Sequence, residues 1–383
     1  MTLLACTRKL AFGVLLGLLA WPGFAAEPGV SDREILLGQS LGITGPLAQM
    51  APDIMNGGKA YFDSLNAKGG IFGRKVRTLV VDDGYDAATT LKLTRHLVHD
   101  EKVFALYNYT GTANVQAVLD LLAAEDSPVP LIGPITGAAG VRQPFHDNVF
   151  HVRASYEDEL DKLVQHLSTI GVRRIAVLWI NNGMGKDGMQ GMEKAMKKYA
   201  LEGYASASIE PDGSDAARAV ETLRQQQPAA IVMITTGSAT VRFIKAFNSV
   251  QQGMKFYTLS VMGTSAALRA LGPDGVGVVV TSVVPFPWSA SNRLAREYQQ
   301  AMKQDGFDNL SFLGFEAYIN AKVLAEGLRR AGRELTRAKL VAALESAPFH
   351  DLGDFSFNYG HDTHLGSKFV ELTMIRSGEK FAR

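Results

Sequence analysis

Tyr109-Thr110-Gly111-Thr112-Ala113 is the segment whose residue types do the most definite chemistry. It follows an apolar run at 103–107 and opens a helical pattern at 113–124. A helix start leaves backbone N–H groups unpaired and carries the positive end of the helix dipole, so it favours an anion. Thr110 and Thr112 add hydroxyls there, and Gly111 lets a ligand approach the backbone closely. The chemistry is capture of a carboxylate, set against plain helix capping by the same threonines.

Three other strings compete. Gly183-Met184-Gly185-Lys186-Asp187-Gly188 has the G-x-G-x-x-G spacing of a dinucleotide loop, between a strand pattern and a helix pattern, and Glu210 stands where a ribose acid would. Against it stands secretion, argued below, because nicotinamide cofactors are not expected outside the cell. Gly38-Gln39-Ser40-Leu41-Gly42 matches the nucleophile elbow G-x-S-x-G, yet an elbow needs a helix at once and here Thr44-Gly45-Pro46 follows. His361-Asp362-Thr363-His364 puts two imidazoles and a carboxylate within four residues. Metal sites need three or four convergent ligands, and a polar turn explains this stretch as well. No catalytic residue, cofactor or metal is expected.

The elements that must position these residues alternate. Strand patterns at 35–38, 76–81, 103–106 and 129–132 interleave with helix patterns at 53–68, 87–100 and 113–124. A second series follows, with strands at 174–179, 206–209, 230–234 and 256–259 among helices at 156–170, 186–199, 215–226 and 238–250. Near-continuous apolar strands such as Ile231-Val232-Met233-Ile234 suit a parallel sheet covered on both faces. Two such series imply two doubly wound α/β lobes. The last third departs from this: a strand at 276–284, helices at 291–304, 312–330 and 336–346 with Thr336 as N-cap, and a terminal hairpin of 354–357 and 369–374 around Gly360. The chain therefore crosses between lobes more than once, which makes a hinge.

Composition bounds the setting. Arg8 and Lys9 precede an apolar stretch at 10–21, and small residues follow at Gly23 and Ala25, the pattern of a secretory leader cleaved near Ala25. Leu3-Leu4-Ala5-Cys6 resembles a lipoprotein box but precedes the apolar stretch instead of following it. Cleavage removes the only cysteine and leaves 37 basic against 38 acidic residues. A near-neutral chain gives no reason to expect nucleic acid as a partner. Without disulfides it must rely on a large core, which 46% hydrophobic composition can build.

Longer blocks carry a resemblance. Gly42-Ile43-Thr44-Gly45-Pro46, Asn66-Ala67-Lys68-Gly69-Gly70-Ile71-Phe72-Gly73, Val81-Asp82-Asp83, Pro134-Ile135-Thr136-Gly137-Ala138 and Gly314-Phe315-Glu316-Ala317-Tyr318 resemble the periplasmic branched-chain amino-acid-binding proteins of ABC transporters. The likeness runs from about residue 34 to about residue 374, and the Asn-Ala-Lys-Gly-Gly block is its most specific part. It implies the type I periplasmic binding protein fold: two α/β lobes joined by a three-stranded hinge, a ligand cleft between them and a membrane-embedded ABC permease as partner. On this reading residues 33–152 and 284–350 form the first lobe, and 153–283 and 351–383 the second.

The resemblance also implies site residues. The position of Thr110 holds a ligand carboxylate, while those of Ile135 and Gly137 meet the ligand amino group through a carbonyl and a hydroxyl. Gly137 has no hydroxyl, and the adjacent Thr136 can supply one. The acid that pairs with a ligand ammonium falls near Ser260, followed by Val261 and Met262, with no acid beside it in sequence. Two cleft tyrosines fall at Met50 and Met184. Thr236 and Phe315 complete the expected lining, and Glu316 is the acid that could compensate on the hinge side. An unpaired ammonium is costly to bury, whereas thioethers suit an apolar or aromatic body. The expectation is a monomeric periplasmic solute-binding protein for an amino acid or an aromatic or aliphatic carboxylate. A ligand-sensing subunit for a membrane receptor and a secreted α/β enzyme are the alternatives.

Overall fold

The computed structural model describes residues 27–383 except 125–127, 202, 347–351, 353–354, 356 and 379. The expected leader lies outside the described residues. Among those that are described, no helix is long and apolar enough to cross a membrane.

The first sheet is built from β1 (Glu34–Leu41), β2 (Lys75–Asp82), β3 (Ala105–Tyr107), β4 (Leu131–Ile132) and β5 (Val149–Phe150). Its order is β2-β1-β3-β4-β5, with every pairing parallel. Parallel neighbours need crossover helices, here α1 (Ala51–Ala67), α2 (Ala87–Arg95) and α3 (Thr112–Ala124). Asp86 caps α2 through the Thr89 N–H, and a π-helical turn, His96–Asp100, follows that helix. Three late helices return to this lobe: α9 (Arg293–Gln304), α10 (Phe312–Ala331) and α11 (Arg337–Glu345). Helix α10 crosses α1 so closely that a Cβ on Gly57 would fall 1.9 Å from the Gly314 carbonyl oxygen.

The second lobe contains α4 (Tyr156–Thr169), β6 (Ile175–Ile180), α5 (Gly183–Lys198), β7 (Ala205–Ile209), α6 (Ala216–Arg224), β8 (Ala230–Ile234), α7 (Gly237–Val250), β9 (Phe256–Thr258), α8 (Ser265–Leu271) and β10 (Val279–Ser282). The chain end adds β11 (Glu371–Arg376) and β12 (Lys380–Ala382), giving the order β12-β11-β10-β9-β8-β6-β7. Only the β10–β11 and β11–β12 pairings are antiparallel. Ile231, Val232, Met233 and Ile234 are wholly buried, as a central strand with both faces covered requires.

Two expectations change. The strand expected at 276–284 shortens to β10, because Gly277 takes φ +87° and breaks the extended run. The terminal hairpin is formed by β11 and β12, not by residues flanking Gly360. Residues 354 and 356 of the strand expected at 354–357 lie outside the described residues, while Phe355 and Phe357 stack on each other as aromatic anchors, Phe357 meeting Tyr359 edge-on and Tyr359 meeting Phe150 of β5. Residues 360–363 form a tight turn instead. The chain passes between the lobes after β5, after β10 and again before β11. The first and third passages pair, with the His151 N–H donating to the His364 carbonyl at 2.8 Å and the Gly366 N–H to the His151 carbonyl at 2.7 Å.

Candidate functional site

The first-lobe wall is made by two loops that leave adjacent strands. The Ile135 N–H donates to the Tyr109 carbonyl at 2.7 Å, which draws residues 109–112 and 135–137 together. Thr112 and Thr136 share a hydroxyl–hydroxyl hydrogen bond of 2.8 Å. Thr110 lies beside them, its hydroxyl on the Asn108 carbonyl at 3.3 Å. Three hydroxyls therefore gather at the start of α3, where the helix end favours negative charge. Gly111 takes φ +101°, and a Cβ there would fall 2.5 Å from the Tyr85 ring. Gly137 is hemmed in by Tyr156, whose N–H donates to the Gly137 carbonyl at 2.8 Å.

The second lobe meets this wall along several contacts. Asn182 caps α5 by accepting from the Met184 and Gly185 N–H groups, and its amide donates across to the Tyr85 hydroxyl at 3.1 Å. The Thr236 hydroxyl points at the Met50 sulfur, 3.8 Å away. Asp187 accepts from the Gly140 N–H at 3.1 Å. Asp53 of α1 accepts from both the N–H and the hydroxyl of Ser265 at the start of α8, each at 2.8 Å. Burial pushes the Asp53 carboxyl above its usual range, with the Ser265 hydrogen bonds opposing the shift. Met50, Met184 and Thr236 are all enclosed by this meeting of the lobes.

The hinge side holds what sequence reasoning missed. Glu159 of α4 is 0% exposed and accepts from the Ser260 N–H at 2.8 Å, the Ser260 hydroxyl at 3.0 Å and the Thr281 hydroxyl. An acid therefore does lie against Ser260, delivered from about a hundred residues upstream. Arg153 answers it: the guanidinium donates to Glu159 at 2.8 Å, to the Ser260 hydroxyl, and to Glu316 of α10 at 3.4 Å. Burial works against the Arg153 charge, but Glu316 and Glu159 outweigh it and hold the group ionised. Burial raises the Glu316 carboxyl despite Arg153. A second buried guanidinium, Arg142, donates to the Thr136 and Arg153 carbonyls at 3.1 Å each. Burial, reinforced by Arg153, lowers it to about 10.

Glu159 had a signal in sequence. It lies on the apolar stripe of α4 formed by Tyr156, Leu160, Leu163, Val164 and Leu167, where an acid needs a buried partner. Glu316, expected as an acid on the hinge side, is buried in that same ion group. Two candidates turn away from the cleft. Tyr109 points its hydroxyl at Thr94 of α2, 3.1 Å away. Phe315 is fully buried and stacks on Tyr298 of α9 at 4.9 Å, within the helix layer of the first lobe.

The competing motifs resolve into structure. A Cβ on Gly185 would fall 1.8 Å from the Ile180 carbonyl oxygen, and one on Gly188 would fall 2.4 Å from Ile234, so these glycines let α5 pack on the sheet. The first-turn N–H groups that a phosphate would need are taken by Asn182, and Glu210 accepts from Asn181 at 3.0 Å. Ser40 sits inside β1, buried, donating to Asp83 at 2.7 Å. His361 is exposed and pairs with Glu345 at 2.7 Å, whereas His364 is buried, stacked on Phe150 and bonded to the same Glu345 at 3.0 Å. Among the described residues no group of three or more His, Cys, Asp or Glu could hold a metal ion.

Comparison with known proteins fits this architecture. Residues 34–379 match the family described as periplasmic binding protein. A Leu/Ile/Val-binding protein homolog of Brucella melitensis is 23% identical over 363 residues, covering 93% of this chain and 96% of its own. The crystal structure of a substrate-binding periplasmic protein from Ralstonia solanacearum superposes with a TM-score of 0.83 at 30% identity, over 90% of this chain and 98% of its own. An extracellular ligand-binding receptor from Verminephrobacter eiseniae superposes at 0.84 with 25% identity, over 92% and 100%. The family match, on a chain of two α/β lobes that meet along these contacts, makes this a solute-binding protein. The chain belongs to the periplasmic binding protein family, with the type I fold.

Proposed function

We propose that this protein captures a small carboxylate with an apolar or aromatic body and no ammonium group, and delivers it to an ABC permease from the periplasm. The observation that carries the ligand class is the commitment of Glu159 and Glu316 to Arg153. A ligand ammonium at Ser260 would meet two carboxylates already balanced by two guanidiniums, those of Arg153 and the nearby Arg142. Desolvating a cation there without a free partner costs several kcal/mol. The Thr110, Thr112 and Thr136 hydroxyls at the α3 start suit the carboxylate, and Met50 and Met184 suit the apolar body. The Brucella melitensis relative's name, a Leu/Ile/Val-binding protein homolog, supports solute capture. The two bodies that close on the ligand would be 33–152 with 284–350, joined by the stretch around Tyr359 and His361 that packs on Phe150 and Glu345, and 153–283 with the chain end beyond the crossing at His364.

A thermal-shift screen tests this, with α-amino acids in one arm and benzoate-like or branched aliphatic carboxylates in the other. A ligand at a hundred times its dissociation constant stabilises the fold by about 2.7 kcal/mol, a readily measured shift. The expected result is a rise with carboxylates lacking the amino group. A rise with leucine or valine alone would overturn the ligand class and leave the transport role standing.

A further inference from the structure

We propose that the groove between α1 and the outer strand β2 is a second small-molecule site, taking a compact neutral carbonyl compound with an apolar body. The groove encloses about 420 Å³ and lies on the first lobe. That volume falls within the range of ligand pockets, which are mostly apolar with a few placed polar groups. Its walls are Met55, Phe62, Val76, Val80 and Tyr107. Strand β2 is the sheet's edge, so nothing in the sheet continues beyond the groove's outer wall.

Gln39 supplies the placed polar group. It comes from β1, is 1% exposed and lines the groove. Its side-chain nitrogen has no hydrogen-bond partner among the described residues. Buried amide nitrogens almost always find an acceptor, so one that lacks it calls for an explanation. Among its neighbours, Asn66, Thr78 and Tyr107 have theirs. Asn66 clamps the Val76 N–H and carbonyl at 2.8 Å each, and Thr78 and Tyr107 share a hydroxyl contact of 3.3 Å. At the rim Lys59 pairs with Asp63, and Arg77 with Glu34 at 3.0 Å.

The occupant's chemistry follows from this arrangement. The floor offers a neutral N–H donor, so the ligand needs an acceptor. Each of those rim pairs sets one cation against one anion, and Lys75, the remaining charge of the lining, is exposed to water, so a charge carried into the groove would find no desolvated partner. A carbonyl on a small apolar ring or chain satisfies both conditions. This site is separate from the cleft, and its failure would leave the reading of the cleft untouched.

The probe is δ-valerolactam, titrated against the full mature chain and followed by saturation-transfer NMR. Gln39→Met keeps the side-chain length and removes the donor, and removing an unpartnered buried amide leaves the melting temperature unchanged or higher. The expected result is saturable binding to the wild type and to Thr110→Ala, weakened tenfold or more in Gln39→Met. Should Gln39→Met fail to fold, Val80→Trp, which fills the groove from its outer wall, is expected to abolish the signal. Equal binding in the wild type and in whichever of these variants folds would overturn the proposal, as would no saturation up to the probe's solubility.

Discussion

Thr110 and His151 show how single side chains carry measurable consequences here. Thr110 is enclosed at the start of α3, and its hydroxyl has one long hydrogen bond, to the Asn108 carbonyl. Replacing it with alanine is expected to weaken ligand binding by about 1–3 kcal/mol, as loss of one buried polar contact does. Isothermal titration with the best ligand from the screen would check this. His151 is buried in the first crossing, with its Nε2 hydrogen-bonded to the Val141 carbonyl at 3.1 Å and its Nδ1 without a partner. Burial, together with the nearby Arg142 charge and the His364 and His146 imidazoles, holds it well below the ordinary 6.5. The folded chain therefore binds fewer protons than the unfolded one below pH 6.5. Stability is full above that value and falls as pH drops toward the folded value, by about 1.4 kcal/mol per pH unit for one proton. His151→Gln, which keeps an N–H for Val141, should show a shallower acid slope in denaturant titrations by that amount.

Helix α5 illustrates what an element demands of its sequence. Its glycines read as a nucleotide fingerprint, yet their spacing serves contact with β6 and β8. Gly185→Ala should cost more than about 3 kcal/mol, because the clash is with backbone that cannot yield, and urea denaturation would measure it. The alternation of strand and helix was legible in sequence because each element announces itself within a dozen residues. Thr336 was legible as a cap for the same reason, and its hydroxyl accepts from the Lys339 N–H at 3.1 Å. The Thr110–Thr112 segment was legible too, since strand, glycine and helix start are contiguous. The α4 stripe marks Glu159 as buried, but its pairing with Arg153 and Glu316 was not legible, because it joins a crossing, α4 and α10, and no local pattern records which distant segment supplies a counter-charge. The strand expected at 354–357 has the same origin. Alternating aromatics look alike whether they fill a sheet or tie down a passage between lobes.

At the scale of the whole molecule, closure depends on contacts that exist only when the lobes meet. The Asp53 carboxylate on the N–H and hydroxyl of Ser265 is the best formed of these. A ligand shifts an open–closed equilibrium only by its differential affinity, so loosening the closed form lowers apparent affinity without touching the ligand. Asp53→Ala removes both acceptors and leaves the Ser265 N–H and hydroxyl without them. It should weaken binding about tenfold, the equivalent of roughly 1.4 kcal/mol, within the range for one charged hydrogen bond. Small-angle scattering should show a larger radius of gyration for the variant without ligand; an unchanged radius would mean that Asp53 does not hold the lobes together.

The threading of the chain has a consequence for when the protein can exist at all. Helix α1 waits for α10, which arrives about 250 residues later, and β10 gains its outer neighbour only with β11, within the last fifteen residues. Neither lobe can be finished while the ribosome is still partway through the message. Contacts so distant in sequence make folding slow, because long loops must close before any contact rewards them. For a member of a periplasmic family slowness is useful: a polypeptide still uncommitted to its final shape is one that a translocation channel can thread. Premature stops before residue 371 would leave β10 as an open edge, and such products should appear as aggregates rather than as a working half.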